Sequence, residues 1–215
     1  MSADQRNRLS RQLESGLGAL EQTLPEPARD ALIAYLDQLL HWNRAYNLTA
    51  VDQPDRIVER HLLDSLSVRP WLRGDRVIDI GTGAGLPGLV LAIAEPARDF
   101  LLADSNGKKV RFLRHVARRL GLQNVEERQA RVESLMSEPA PDTIVARALA
   151  PLPRLVDWVA PWLRDGARLL AMKGALDEAE RSAVPDAYNV ALEPLTWTGQ
   201  SGTRCLVIVT HGERT

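Results

Sequence analysis

The stretch RVIDIGTGAGLPG, residues 76–88, runs a short apolar strand directly into a loop that carries four glycines. Val77, Ile78 and Ile80 are the β-branched residues that a parallel strand covered on both faces requires. Gly81, Gly83, Gly85 and Gly88 follow at once. Strand-to-helix turns of this kind bind nucleotides. Glycine lets the backbone turn sharply, adopt φ > 0 and approach a ligand to contact distance with no Cβ in between. The spacing then separates two ligand classes. A dinucleotide fingerprint G-x-G-x-x-G beginning at Gly81 needs glycine at position 86, where this chain has Leu86. The pattern present is D-x-G-x-G-x-G: Asp79, Gly81, Gly83, Gly85.

That pattern resembles motif I of the Rossmann-like, S-adenosylmethionine-dependent methyltransferases, whose loop faces the methionine part of the cofactor, a group with no pyrophosphate. A second acid is then expected about 20 residues on, at the end of the next strand, to accept hydrogen bonds from ribose hydroxyls. Phe100-Leu101-Leu102-Ala103-Asp104 supplies it, with Asp104 19 positions after Gly85. A helix from Leu86 to Ala94 and a turn at Pro96 fill the interval. A mere tight turn and a solvated strand end would not put strand, loop, helix, strand and acid in register.

At 215 residues with 45% hydrophobic content, the chain suits one folded unit with a sizeable core. Net charge is -1, so attraction to nucleic acid has to come from a local patch. The one cysteine, Cys205, has no internal disulfide partner, and no signal segment opens the sequence, so a cytoplasmic location is expected. No apolar run is long enough to cross a bilayer, and no set of His, Cys and carboxylates has ligand spacing, so neither membrane nor metal is expected.

Before the first strand, Asp4 to Asn47 reads as helix, broken at Pro25 and Pro27, with an apolar stripe of Leu32, Ile33, Leu36, Leu39 and Leu40. Such a cap covers a cofactor, holds a substrate or only stabilises the sheet. In Glu59-Arg60-His61-Leu62-Leu63-Asp64-Ser65, helical spacing places Arg60 over Asp64 and His61 over Ser65, polar pairs within an apolar repeat. Between Gly107 and Gly121 the chain reads as an amphipathic helix. Lys108, Arg111, His115, Arg118 and Arg119 fall on one side, Lys109 and Arg114 flank them, and no acid lies between Asn106 and Arg119. That face either meets RNA phosphates or is simply solvated.

WNRAYNLTAV, ERHLLDSL, IDIGTGAGLPG, DSNGKKVRFL, ARVE and ARALAPL occur in this order. Together they resemble the ribosomal small subunit methyltransferase G family, also called glucose-inhibited division protein B. The resemblance runs from about Trp42 to Gly174 and weakens beyond; Ala84 stands where many members have proline, and Ala146 where many have serine. It implies methyl transfer from S-adenosylmethionine to N7 of a guanine, conventionally numbered 527, in 16S rRNA or the small-subunit particle. Cofactor contacts fall by motif on Gly81, Gly83, Gly85, Leu86, Asp104, Ser105, Val132, Glu133 and Arg147, with Val132 and Glu133 in the loop that holds adenine in many such folds. Arg147 is also the expected catalytic residue, touching cofactor or guanine O6, with a salt bridge to a carboxylate as its structural alternative. Asn47, Arg60, His61, Lys108, Arg111, Arg118, Lys173 and Arg204 are candidates for RNA contact.

The fourth strand, Thr143 to Ala146, also discriminates chemistry. Methylation of exocyclic amines usually needs Asp/Asn-Pro-Pro-aromatic at its end, and pyrimidine C5 methylation needs a cysteine nucleophile. The chain has Arg147-Ala148-Leu149-Ala150 there, and Cys205 lies within a late apolar strand. Ala167 to Lys173 reads as a fifth strand and Leu176 to Ala183 as a helix. Val190 to Thr196 and Thr203 to Thr210 read as an antiparallel pair around Gly199 to Gly202. The expected fold is a mostly parallel seven-stranded sheet with an antiparallel last strand and helices on both faces. A helical extension (1–70) packs on a Rossmann-like domain (71–215) in one unit, a monomer. Three other functions stay open at this stage: a small-molecule methyltransferase, a nicotinamide-dependent dehydrogenase and a cofactor-binding protein without catalysis.

Overall fold

A computed structural model describes residues 1–51, 53–196 and 202–212. Seven strands form one sheet: β1 (Arg76–Ile80), β2 (Asp99–Asp104), β3 (Val125–Gln129), β4 (Thr143–Arg147), β5 (Arg168–Lys173), β6 (Tyr188–Pro194) and β7 (Cys205–His211). Their order is β3-β2-β1-β4-β5-β7-β6. The first five are parallel, and β7 runs antiparallel between β5 and β6. Connections leave β1 toward β2 on one side and reach β4 on the other. The carboxyl ends of β1 and β4 therefore flank the switch point at which open sheets of this kind bind ligands.

The period-2 alternation of the strands sorts the core into two layers. Val77, Phe100, Leu102, Val145 and Leu170 share a buried cluster with the N-terminal helices α1 (Ala3–Ala19) and α2 (Glu26–Tyr46). Their neighbours α5 (Gly88–Ala94) and α6 (Gly107–Leu120) join the same cluster. Ile78, Ile80, Leu101, Ile144, Leu169 and Val207 face the opposite cluster, with Leu155, Val156, Val159 and Trp162 of α7 (Leu152–Arg164). A short α8 (Glu178–Ser182) precedes β6. The helical extension therefore shares a core with the sheet, through α2 against α5 and α6. No helix of the described residues is long and apolar enough to cross a membrane.

Several boundaries differ from the sequence expectation. The helix after the glycine loop begins at Gly88, because Leu86 and Pro87 complete the turn. The helix expected from Leu176 spans only Glu178–Ser182, capped by Asp177, whose carboxylate accepts from the Glu180 N–H. β6 begins at Tyr188, two residues before Val190, and residues 197–201 of the connection to β7 lie outside the described residues. Between Pro54 and Leu66 the helix is not regular. It runs as α3 (Pro54–Ile57), a π-helical turn over Val58–Leu63 and α4 (Asp64–Leu66). Ser65 Oγ donates to the His61 carbonyl at 2.6 Å, filling part of the widened ladder.

Candidate active site

The glycine loop is shaped by its own backbone. Gly81, Gly83 and Gly85 have φ of 68°, 62° and 91°, a region that side chains with a Cβ enter only under strain. The loop is fixed at both ends. Gly81 and Thr82 N–H groups donate to the Ala103 carbonyl of β2 at 2.8 and 3.0 Å. On the other side Gly88 N–H donates to Asp79 Oδ2 at 2.7 Å. A Cβ on Gly88 would stand 2.6 Å from that oxygen, so the approach requires glycine. Asp79 is fully buried, and burial pushes its carboxyl up to about 7, opposed by the donated hydrogen bonds. Its place is beneath the loop, a brace between strand and helix.

Above the loop lies a cavity of about 500 Å³, a size suited to a small-molecule cofactor. The carboxyl ends of β1, β2 and β4 form its floor through Gly81–Ala84, Ala103–Ser105 and Arg147–Leu149. A Cβ on Gly83 would meet nothing nearer than 3.9 Å, which leaves the backbone open to a ligand. Asp104 closes one side. Its Oδ2 accepts from Gly83 N–H at 3.0 Å with Lys109 Nζ 3.5 Å away, and its Oδ1 accepts from Asn106 N–H at 2.8 Å. A carboxylate oxygen accepts two donors, so Oδ1 retains capacity for a ligand hydroxyl. Ala130, Val132 and Glu133 make the next wall, with the 3-10 turn Val132–Leu135 holding it. Arg154 and Trp158 of α7 complete that side, the guanidinium 4.8 Å from the indole centroid.

The helical extension supplies the remaining wall. Tyr35, buried in α2, donates its hydroxyl to the Ala84 carbonyl at 2.9 Å and so ties the extension to the glycine loop. Leu48, Thr49 and His61 line the cavity. His61 Nε2 lies 3.0 Å from Thr49 Oγ1, and burial lowers its pKa to about 4, which keeps the ring neutral near pH 7. Arg147 is held from the same segment. Its guanidinium lies 3.2 Å from Asp64 Oδ2 and donates to the Arg60 carbonyl at 3.1 Å. Asp64 Oδ1 accepts from Arg204 Nε at 3.1 Å, so one buried carboxylate clamps two arginines. Cys205 is buried in β7 and is not among the lining residues.

Of the residues singled out from the sequence, Gly81, Gly83, Leu86, Asp104, Ser105, Val132, Glu133, Arg147 and His61 line this cavity. Gly85 lies beneath it against Leu89 and Leu113. Arg60 reaches the site through its carbonyl, and Asn47 caps α2 with φ 49°. Lys108, Arg111 and Arg118 are exposed on α6. Lys173 pairs with Glu180 at 2.5 Å, and Arg204 with Asp64. Sequence reasoning did not place Tyr35, Thr49, Asp64, Lys109, Arg154 or Trp158 at the site. The phenol at a core position was the available signal for Tyr35, since a buried hydroxyl needs a partner.

Solved structures with similar folds include magnesium protoporphyrin IX methyltransferase from Synechocystis PCC 6803 with bound S-adenosylmethionine. It has a TM-score of 0.58 and 20% identity, covering 81% of this chain and 90% of that one. TrmN from Thermus thermophilus has a TM-score of 0.52 and 20% identity, covering 69% of this chain and 48% of that one. At such identities the likeness concerns the fold. Sequence relatives are much nearer. The ribosomal RNA small subunit methyltransferase G of Saccharophagus degradans is 42% identical over 206 residues, 95% of this chain and 92% of the relative. Its counterpart from Alkalilimnicola ehrlichii is 46% identical over 196 residues, 91% of this chain and 89% of the relative. With residues 28–204 also matching the family described as rRNA small subunit methyltransferase G, the chain belongs to that family.

Proposed function

We propose that this chain transfers a methyl group from S-adenosylmethionine to N7 of one guanine of 16S ribosomal RNA, the position conventionally numbered 527. The observation that carries the reading is one cavity at the switch point that gathers the glycine loop, Asp104, the Val132–Glu133 turn and Arg147. The names of the relatives support small-subunit rRNA as the substrate. We take the enzyme to act as a cytoplasmic monomer on free rRNA or a small-subunit particle, without a metal.

In this reading the backbone of Gly81 and the open backbone of Gly83 receive the methionine part of the cofactor, and Asp104 accepts hydrogen bonds from the ribose hydroxyls. Val132 offers an apolar contact to adenine, with Glu133 at its edge. Bound there, S-adenosylmethionine supplies an electrophilic sulfonium methyl. Guanine N7 already carries an in-plane lone pair and no proton, so the protein needs no general base and no covalent nucleophile. Its task is alignment and exclusion of water. Arg147 lines the cavity at the end of β4, and Asp64 and the Arg60 carbonyl restrict its guanidinium. A guanidinium fixed in this way can donate toward guanine O6 or toward the cofactor with little loss of side-chain entropy. Lys109, beside Asp104, limits the negative potential at the ribose end.

Labelled S-adenosylmethionine, incubated with 16S rRNA and with small-subunit particles that lack the modification, tests the reading. Label recovered as 7-methylguanine at a single 16S site is the expected result. Cofactor binding with no label in any RNA would overturn the substrate assignment and point to a small-molecule acceptor.

A further inference from the structure

We propose that the cleft between the end of α2 and the outer turns of α6 is a stacking site for one unpaired base of the RNA substrate, with Tyr46 as its platform. The inference rests on the rRNA reading above and adds a second contact point beyond the cofactor cavity.

Trp42 and Tyr46 lie one turn apart on α2, and their rings stack at 5.3 Å with 28° between planes. Trp42 is held from behind by α6, with Phe112 at 5.6 Å and His115 at 5.1 Å. His115 is itself fixed, its Nε2 2.9 Å from Gln38 Oε1. Packing therefore accounts for Trp42. It does not account for Tyr46, a residue that remains 41% exposed on this rigid support. An aromatic face held in place but open to solvent binds a planar group with little loss of conformational freedom.

The surroundings select the kind of planar group. The cleft has a volume of about 1010 Å³, and Arg44, Asn47 and Arg119 line it. Its acid, Asp37, is paired with the Met1 amino group at 2.7 Å. A cationic, polar lining around one exposed ring suits a nucleotide, with base on Tyr46 and phosphate on arginine, better than an apolar protein segment. Position supports the same occupant. Asn47 lines the cleft, while the next two residues, Leu48 and Thr49, line the cofactor cavity. On α6, Lys109 lines the cavity and Arg119 the cleft. They stand ten helical positions apart, about 15 Å at 1.5 Å per residue. A strand whose guanine enters the cavity can thus lay a nearby base on Tyr46. Stacking reads no base edge, so the site selects for an unpaired nucleotide more than for its identity.

The test uses full-length Tyr46→Ala, Tyr46→Phe and Arg119→Glu with unmodified small-subunit particles and 16S rRNA, measuring RNA affinity against salt and cofactor affinity in parallel. Tyr46→Ala is expected to weaken RNA binding by about tenfold or more with an unchanged salt slope, as loss of one stacked base does. Tyr46→Phe should bind within about twofold of wild type, because the ring is kept. Arg119→Glu should weaken binding and reduce the salt slope by about one. Intact cofactor affinity certifies that each variant is folded. Wild-type affinity in Tyr46→Ala, with the parent active on RNA, would overturn the stacking site and leave the function standing. A loss that phenylalanine does not restore would assign the effect to the hydroxyl and also overturn it. A parent protein that binds no RNA would sink the rRNA reading and this inference together.

Discussion

Replacing Asp64 by asparagine removes one charge and leaves two arginines without it. The carboxylate side chain is 4% exposed, and the guanidinium-bearing side chains of Arg147 and Arg204 are each 22% exposed. Each pair, at 3.1–3.2 Å, would be worth about 5 kcal/mol of Coulomb attraction at an effective dielectric of 20, before the offsetting cost of desolvation. Deleting one member of a buried pair typically costs about 3–5 kcal/mol, because the remaining charge is left uncompensated. Both arginines can turn partly into solvent, so the lower end, about 3 kcal/mol, is the better expectation here. With a urea m-value of about 2 kcal/mol/M, the midpoint should fall by about 1.5 M. The functional effect should exceed the structural one. Arg147 would lose the restraint that aims it into the cavity, so methyl transfer should fall at saturating cofactor even below the temperature at which the variant unfolds. Combining Asp64→Asn with Arg147→Ala closes a cycle in which contacting residues couple by about 0.5–3 kcal/mol. An unchanged urea midpoint with strictly additive effects would refute the clamp.

Three further outcomes follow from the same geometry. Gly81→Arg should abolish cofactor binding while the chain stays soluble, since its φ is 68° and an added Cβ would collide with Leu149 of the cavity wall; equilibrium binding of S-adenosylmethionine measures this, and unimpaired affinity would remove the loop from the site. For Asp79 the folded pKa, about 7, exceeds the ordinary value of 3.8, so its contribution to stability is full below about 4 and lost as pH rises through 7. Asp79→Asn should therefore gain on wild type between pH 4 and 7, by up to about 4 kcal/mol on the linkage scale. Denaturation midpoints at both pH values would reveal it, and a constant difference would contradict it. Charge reversal at Lys108, Arg111 and Arg118 should weaken RNA binding and reduce its salt slope by about three, one per phosphate, with cofactor affinity unmoved. Unmoved RNA affinity would make that face of α6 a solvated surface.

The parts of the site that could be read from sequence are those whose chemistry is local. The run Val77, Ile78, Ile80 into spaced glycines dictates a strand and a tight loop, because burial on both faces and positive φ each restrict residue type at that position. Asp104 follows from chain geometry, one helix and one strand later. Contacts between distant segments were not legible. Asp64 and Arg204 meet across 140 positions, and nothing in either neighbourhood names the partner. The π-helical turn over Val58–Leu63 departs from the simple i, i+4 spacing that puts Arg60 and Asp64 on one face, and Arg147 meets the Arg60 carbonyl and the Asp64 carboxylate. Helix α7 is obscured in the sequence by Pro151, Pro153 and Pro161. Pro151 is the N-cap and Pro153 sits in the first turn, where no intrahelical N–H bond is lost, and only Pro161 interrupts the ladder. Arg154 and Trp158 were missed with it.

In the proposed reaction N7 of one guanine accepts the methyl group in the cavity above the glycine loop. A 16S substrate carrying 7-deazaguanine at the mapped position tests it most directly, because the analogue keeps the shape, O6 and pairing edge of guanine and lacks the N7 lone pair. This RNA is expected to bind with the affinity of the unmodified substrate and to take up no label from S-adenosylmethionine. Label transferred to the deaza substrate at that nucleotide would contradict it.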